Sequence, residues 1–175
     1  DGGLMRVADA LLGIPYIVLV VAVSGVVGAG LGTLILILGL TGWVSYARVT
    51  RGEVLALREL DYVLAARVIG QTPWRIMVQH ILPNVFAPLI VQISLSIALA
   101  ILAEATLSFL GLGVQPPEPS WGSMVSRGKA YLDMAPWLAF APGGAILLAV
   151  IGFNFLGDAI RDAMDPRMVR VTRTK

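Results

Sequence analysis

Few side chains in this sequence have the types and spacing to do chemistry. His80 is the one histidine, and the chain has no cysteine. A metal site needs several His, Cys or carboxylate ligands at short spacing. His80 has no such companions, so it reads as a hydrogen-bonding residue at the start of a helix. The lack of cysteine removes a disulfide framework, a thiolate zinc site and a Cys nucleophile together. Glu104 is the only acidic residue well inside an apolar stretch. A charge at the centre of a membrane helix costs ~2.5–3.5 kcal/mol on insertion scales, so such a residue faces a bundle interior or water. Two readings of Glu104 stand: it lines a pathway and meets an amino group or a cation, or it makes a structural hydrogen bond to a neighbouring helix. No apolar stretch holds a Ser–His pair or two aspartates, which excludes an intramembrane protease. Gly28-Ala-Gly-Leu-Gly32 fits the GxxxG helix-packing pattern but lies at a turn, and no strand precedes it as a dinucleotide fingerprint requires. There is no phosphate-cradling Walker loop, so nucleotide hydrolysis is expected elsewhere.

The elements that position these residues follow from composition. Of 175 residues, 57% are hydrophobic and 14% charged, against ~45–50% and ~25% in soluble domains. The mean hydropathy is +0.83. One globular core cannot hide that much apolar surface. A soluble enzyme domain and a disordered tail are excluded. So is a nucleic-acid binder, because a net charge of +2 leaves no electrostatic footprint. The class that remains is an all-α membrane protein, a polytopic helical bundle.

Four stretches approach the ~20 apolar residues that a spanning helix needs. They run from about 7 to 27, 31 to 48, 85 to 110 and 136 to 156, and form a transmembrane domain over 1–157. Gly28-Ala29-Gly30 joins the first two as a tight turn. A polar loop, 49–83, precedes the third, and a Pro- and Gly-rich loop, 111–135, precedes the fourth. A charged tail, 158–175, closes the chain. Of the 13 Lys and Arg, all but Arg127 and Lys129 fall on one side of this arrangement. The positive-inside rule then places the 49–83 loop and the tail in the cytoplasm. Pro116, Pro117 and Pro119 stiffen the opposite loop, and Trp121 suits an interfacial anchor. From Ser120 to Leu132 an amphipathic helix is expected on the outer surface, either meeting a protein from outside or covering helix ends.

The 49–83 loop looks structured. Leu57, Leu60, Leu64 and Val68 recur as one helical stripe. Asp61 suits a helix N-terminus, Gly70 a C-cap, and Gln71-Thr72-Pro73 a turn that restarts a helix. Trp74, Met77 and Val78 continue an apolar face, and Pro83 opens the third span. The loop therefore reads as two short amphipathic helices at about right angles. They either rest on lipid headgroups or form a rigid foot that docks into a soluble partner.

The segment Asp61-Tyr62-Val-Leu-Ala65-Ala66-Arg67-Val-Ile-Gly70, with Ile81-Leu82-Pro83-Asn84 after it, resembles the cytoplasmic-loop signature of ABC importer permeases. Ala65, Ala66, Gly70, Leu82 and Pro83 match in type and spacing. Leu64 stands where the family usually has Glu, and His80 where it often has Ile. The run from His80 to Asn84, the segment from Ala103 to Gly122 and the ending Gly157 to Arg167 all resemble the dipeptide, oligopeptide and nickel branch. That branch typically has six spans. The four here correspond to the last four, so the start at Asp1 is expected to reflect a truncated N-terminus.

The resemblance implies a type I ABC importer permease fold with cytoplasmic coupling helices and a non-catalytic subunit. The implied partners are a second permease subunit, two ABC ATPase subunits, an extracytoplasmic solute-binding protein and the lipid bilayer, with no nucleic acid. ATP and Mg would be bound by the ATPase subunits and no cofactor by this chain. Asp61, Tyr62, Ala65, Ala66, Arg67, Gly70 and Pro83 are the implied ATPase-coupling residues. The implied location is the cytoplasmic membrane of a bacterium or archaeon, with the C-terminus inside. Short peptides are the implied cargo, with nickel or another small solute as the alternative. An ATPase-independent channel or a membrane assembly subunit is the distant rival.

Overall fold

The computed structural model describes residues 2–164. Among them every regular element is helical: α1 (Gly2–Leu12), α2 (Tyr16–Val27), α3 (Leu31–Leu57), α4 (Asp61–Val68), α5 (Pro73–Ile76), α6 (Leu82–Phe109), α7 (Trp121–Gly128) and α8 (Trp137–Met164). A π-helical turn, Met77–Ile81, joins α5 to α6. A 3₁₀ turn, Lys129–Tyr131, follows α7. Helix α3, the run Pro73–Phe109 and Trp137–Ala163 are each long and apolar enough to cross a membrane. The 27 residues of α3 rise about 40 Å, more than the ~30 Å hydrocarbon core.

The first expected span is two helices. Instead of one rod from about 7 to 27, α1 and α2 meet at 86°. The cause is local. Pro15 is the N-cap of α2, and its ring prevents the residues before it from continuing a helix into it. Helix α2 alone, with 12 residues, rises about 18 Å and falls short of the core.

Two further boundaries differ from the sequence reading. Helix α3 continues past 48 to Leu57, and α8 continues past 156 to Met164. The tail expected to begin at 158 therefore starts inside α8. The basic residues Arg167, Arg170, Arg173 and Lys175, and the end of the Gly157–Arg167 segment, lie outside the described residues.

The chain divides into two compact units, one formed by residues up to Trp43 with Ser96–Phe153, the other by Val44–Leu95 with the segment from Asn154 onward. The first unit packs around Val20, Leu34, Ile37 and Leu107. Its α2–α3 turn uses Gly28 at φ +96°, and the Thr33 hydroxyl donates to the Gly28 carbonyl at 2.7 Å. A Cβ on Gly32 would meet nothing within 4 Å. The glycines of 28–32 thus serve the turn and make no close helix contact here. The second unit packs around Val63, Ala66, Ile76, Ile81 and Val85. Two hydroxyls inside the long helices are satisfied within their own helix: Thr41 donates to the Ile37 carbonyl and Ser94 to that of Ile90. Apolar surroundings demand such pairing.

Candidate functional site

In the second unit the loop after α3 folds into a foot. Helix α4 begins at Asp61, whose carboxylate sits in the first turn, and carries Arg67 in its last turn. Both charges favour the helix dipole. Helix α4 ends in a Schellman motif: the Gly70 N–H donates to the Arg67 carbonyl at 3.0 Å and the Gln71 N–H to the Ala66 carbonyl at 3.1 Å. The motif requires a left-handed residue, and Gly70 has φ +78°. Thr72 then caps α5 and Pro73 occupies its first turn.

The buried face of the foot is not the leucine stripe. Val63 is 0% and Ala66 4% exposed, while Leu64 is 39% and Val68 87% exposed. The chain leaves helical geometry after Leu57 and re-enters at Asp61, which resets the phase of the stripe. Val54 and Leu57 from α3 and Leu89 from α6 complete the core under α4. The expected apolar face at Trp74, Met77 and Val78 is likewise exposed, and Ile76 and Ile81 are buried instead.

The second half of the loop is not a separate short helix. From Pro73 to Phe109 the chain is one helical run. Pro83 therefore lies inside that run and does not open it. Proline removes an N–H and crowds the carbonyl four residues back, and the π turn just before it loosens that turn of helix. The Leu82 N–H reaches the Met77 carbonyl, a five-residue step.

The sequence-derived coupling residues fall into two groups. Asp61, Tyr62, Ala65, Arg67, Gly70 and Pro83 are exposed. Ala66 is not: its surface is spent in the foot's own core, so it sets how closely α4 approaches α6 rather than offering a contact. Around the exposed residues lie Val68, Ile69 at 73% and Trp74 at 70% exposed. The foot is thus a small helix with a closed core beneath and a largely apolar outward face that carries Asp61 at its start and Arg67 at its end.

His80, expected to make a hydrogen bond at a helix start, does so, and with Tyr62 and two residues outside the implied coupling set, Gln71 and Asn84, it holds the foot in place. Nε2 of His80 lies 3.1 Å from Oε1 of Gln71. The rings of Tyr62 and His80 are 6.2 Å apart and tilted by 54°. Asn84 donates to the His80 carbonyl at 2.7 Å and reaches the Tyr62 hydroxyl at 3.5 Å. The usable signal was three polar side chains, Gln71, His80 and Asn84, in or beside an otherwise apolar helical stretch.

Glu104 belongs to the first unit. The Ser108 hydroxyl donates to its Oε1 at 2.6 Å, and the Val114 N–H donates to Ser108 Oγ at 3.0 Å. Its bond runs within α6 and through Ser108 to the following loop, and not to a neighbouring helix. Glu104 also lines a cavity of about 520 Å³ with Glu118, Trp121, Met124 and Leu31. Among the described residues no group of three or more His, Asp or Glu is placed to hold a metal ion.

The loop after α6 is a cap. Gly111, at φ +81°, closes α6 with the same Schellman pair, Gly111 N–H to Ser108 and Leu112 N–H to Leu107. Ser120 and Ser123 form a reciprocal capping box on α7. The Ser126 hydroxyl bonds the Phe109 carbonyl at 2.9 Å, and Lys129 Nζ sits 5.5 Å from the Phe109 ring centre. Gly122 lies so close to the Ala105 backbone that an added Cβ would sit 2.7 Å from its Cα, and one on Gly128 would sit 2.6 Å from the Leu138 carbonyl oxygen.

Long apolar helices, a structured foot and no strand among the described residues define an all-α, multi-pass membrane protein. The chain belongs to the family described as the binding-protein-dependent transport system inner membrane component, which it matches over residues 1–170. It is 47% identical over 168 residues to a Brucella suis permease protein assigned to a peptide transport system, covering 96% of this chain and 57% of that protein. It is 42% identical over 168 residues to the oligopeptide transport system permease protein OppC of Bacillus subtilis, covering 96% and 55%. It is 43% identical over 171 residues to the dipeptide transport system permease protein DppC of the same organism, covering 97% and 53%. The chain spans about half the length of these curated relatives.

Proposed function

We propose that this chain is a membrane-spanning part of a permease subunit in an ATP-driven importer of short peptides. The observation that carries the proposal is the foot: an exposed α4 face, Tyr62, Ala65 and Arg67, on a closed core at the base of α6. A face of this kind suits docking into a groove of a soluble ATPase, and the names of the relatives support peptides as cargo.

In this reading two permease subunits pair to form the pathway, two ATPase subunits bind the feet, and a solute-binding protein delivers cargo from outside. ATP and Mg act in the ATPases, and the chain itself performs no bond chemistry. When the ATPases close, the feet approach and the bundle turns outward as a rigid body. The bias of Lys and Arg supports the 49–83 loop and the C-terminus lying in the cytoplasm. Exposed Ala65 lets a partner come close to the α4 backbone, Arg67 offers a charged hydrogen bond, Gly70 ends α4, and Pro83 follows the π turn through which the foot passes into α6.

The test is copurification of the ATPase with the full-length permease. Ala65→Glu is expected to lose the ATPase while the permease still accumulates in the membrane. Retention of the ATPase in Ala65→Glu and in Gly70→Pro would contradict docking through this face.

A further inference from the structure

The core beneath α4 resists separation from α6, but apolar contacts are non-directional. Val63 and Ala66 pack on Ile76, Ile81 and Val85, but such packing sets the lateral register less sharply than a hydrogen bond of fixed geometry does. Something directional must fix the register if α4 is to push on the span. The polar groups found there are Tyr62, Gln71, His80 and Asn84, two at the ends of α4 and two at the π turn leading into α6. Tyr62 is in the first turn of α4, and Gln71 is the residue that completes its Schellman cap. His80 lies in the π turn and Asn84 in the first turn of α6. With its proton on Nε2 the His80 ring donates to Gln71 Oε1 at 3.1 Å, while its face meets Tyr62 at 6.2 Å. Asn84 ties the His80 carbonyl at 2.7 Å and touches the Tyr62 hydroxyl. One half-buried ring thus bridges both ends of α4 to the helix that continues into the span. A π turn supplies the place, because its extra residue per turn sets His80 off the regular helical pattern, and such turns are frequent at functional sites.

We propose that His80 is a positioning residue for energy coupling: with Gln71, Tyr62 and Asn84 it forms a polar clamp that makes the foot and the span it leads into move as one body. The clamp shares Tyr62 with the docking face, but His80 and Gln71 are half-buried and stand apart from Ala65 and Arg67 on α4, so changing either leaves those docking residues in place. This inference rests on the docking reading above, and its failure looks different. With the clamp loosened, the ATPase still binds and still hydrolyses ATP, but foot movement is lost as slippage before it reaches the span.

The experiment uses the complete transporter in proteoliposomes and measures peptide imported per ATP hydrolysed, with ATPase copurification measured in parallel. His80→Ala is expected to leave copurification unchanged and to lower the ratio by about threefold or more, the scale of single-residue effects on coupling. Gln71→Ala, which removes only the acceptor in the turn, is expected to act in the same direction. The double variant should be no worse than His80→Ala alone, and His80→Gln, which keeps a donor toward Gln71, should recover part of the ratio. A merely structural role would reduce the amount of assembled transporter and leave the ratio untouched. An unchanged ratio in His80→Ala and Gln71→Ala, or strictly additive effects in the double variant, would overturn the clamp. Absence of ATPase copurification with the unaltered protein would instead overturn the docking reading.

Discussion

Helix α6 at Gly111 and helix α4 at Gly70 end in the same Schellman geometry, and beyond that point the two regions are built differently. After Gly111 the chain is packed backbone to backbone. Gly122 rests on Ala105 and Gly128 on Leu138, with no room for a Cβ. After Gly70 no glycine follows until Gly111, and the foot is held by side-chain contacts, an apolar core and a polar clamp. Backbone contact without slack admits one arrangement, which suits a fixed cover over helix ends. Side-chain packing around a small helix admits a part that stays whole while another molecule pushes on it. In the proposed importer the cap keeps its shape and the foot carries load.

Substitutions break or sharpen this contrast. The largest effect is expected for Gly122→Leu, where no side-chain motion relieves the clash with Ala105. A cost of about 3 kcal/mol or more, at the upper end of overpacking, should appear as a large drop in the thermal midpoint of the purified protein. The glycine just before the foot should behave in the opposite way: Gly52→Ala, in the last turns of α3 with nothing within 4 Å of its Cβ, is expected to raise that midpoint slightly, since alanine is the better helix former by about 1 kcal/mol. Next comes Val63→Ala. Val63 is fully buried, and losing its two methyl groups should cost about 2 kcal/mol. Hydrogen exchange should then quicken in α4 and leave the cap protected, since the two cores share no residue.

Gly70→Ala and Gly111→Ala test the shared element. Each forces a Cβ into the left-handed region, at about 1–2 kcal/mol, and the two costs should agree. If Gly70→Ala proved neutral while Gly111→Ala did not, α4 would end in some other way. The smallest effect is expected at the N-caps. Ser120→Ala removes a two-way capping box and should cost about 1 kcal/mol. Thr72→Ala removes a single bond of 3.4 Å and should cost less, both read from thermal midpoints.

What was legible in the sequence was what local chemistry decides. Gly70 before Gln71-Thr72-Pro73 specifies a stop and a restart within five residues, and the structure has both. The apolar stretches specify the long helices. Three features escaped for physical reasons. The break at Pro15 lies within an unbroken apolar run, and hydropathy does not register a bend. The leucine stripe from Leu57 to Val68 assumes one continuous helix, and the short break before Asp61 turns its face outward. The π turn before Pro83 depends on how a proline is accommodated rather than on any periodicity. In the site, the exposed residues could be listed from spacing, but the burial of Ala66 beside exposed Ala65 depends on what α4 packs against. The glycine contacts of the cap are invisible without their tertiary neighbours.

The absence of cysteine in the chain permits a direct test of the central claim, that α4 presents one face to a cytoplasmic ATPase and keeps the other in its own core. Cysteines placed one at a time at Ala65 and at Ala66 in the full-length permease, with any cysteine elsewhere in it replaced, are combined in the assembled transporter with an ATPase carrying one cysteine in its docking groove, and are treated with a bifunctional thiol reagent from the cytoplasmic side. Ala65→Cys is expected to cross-link to the ATPase and Ala66→Cys to remain unreacted. Reaction at Ala65→Cys only from outside the cell, or equal cross-linking at both positions, would contradict the account.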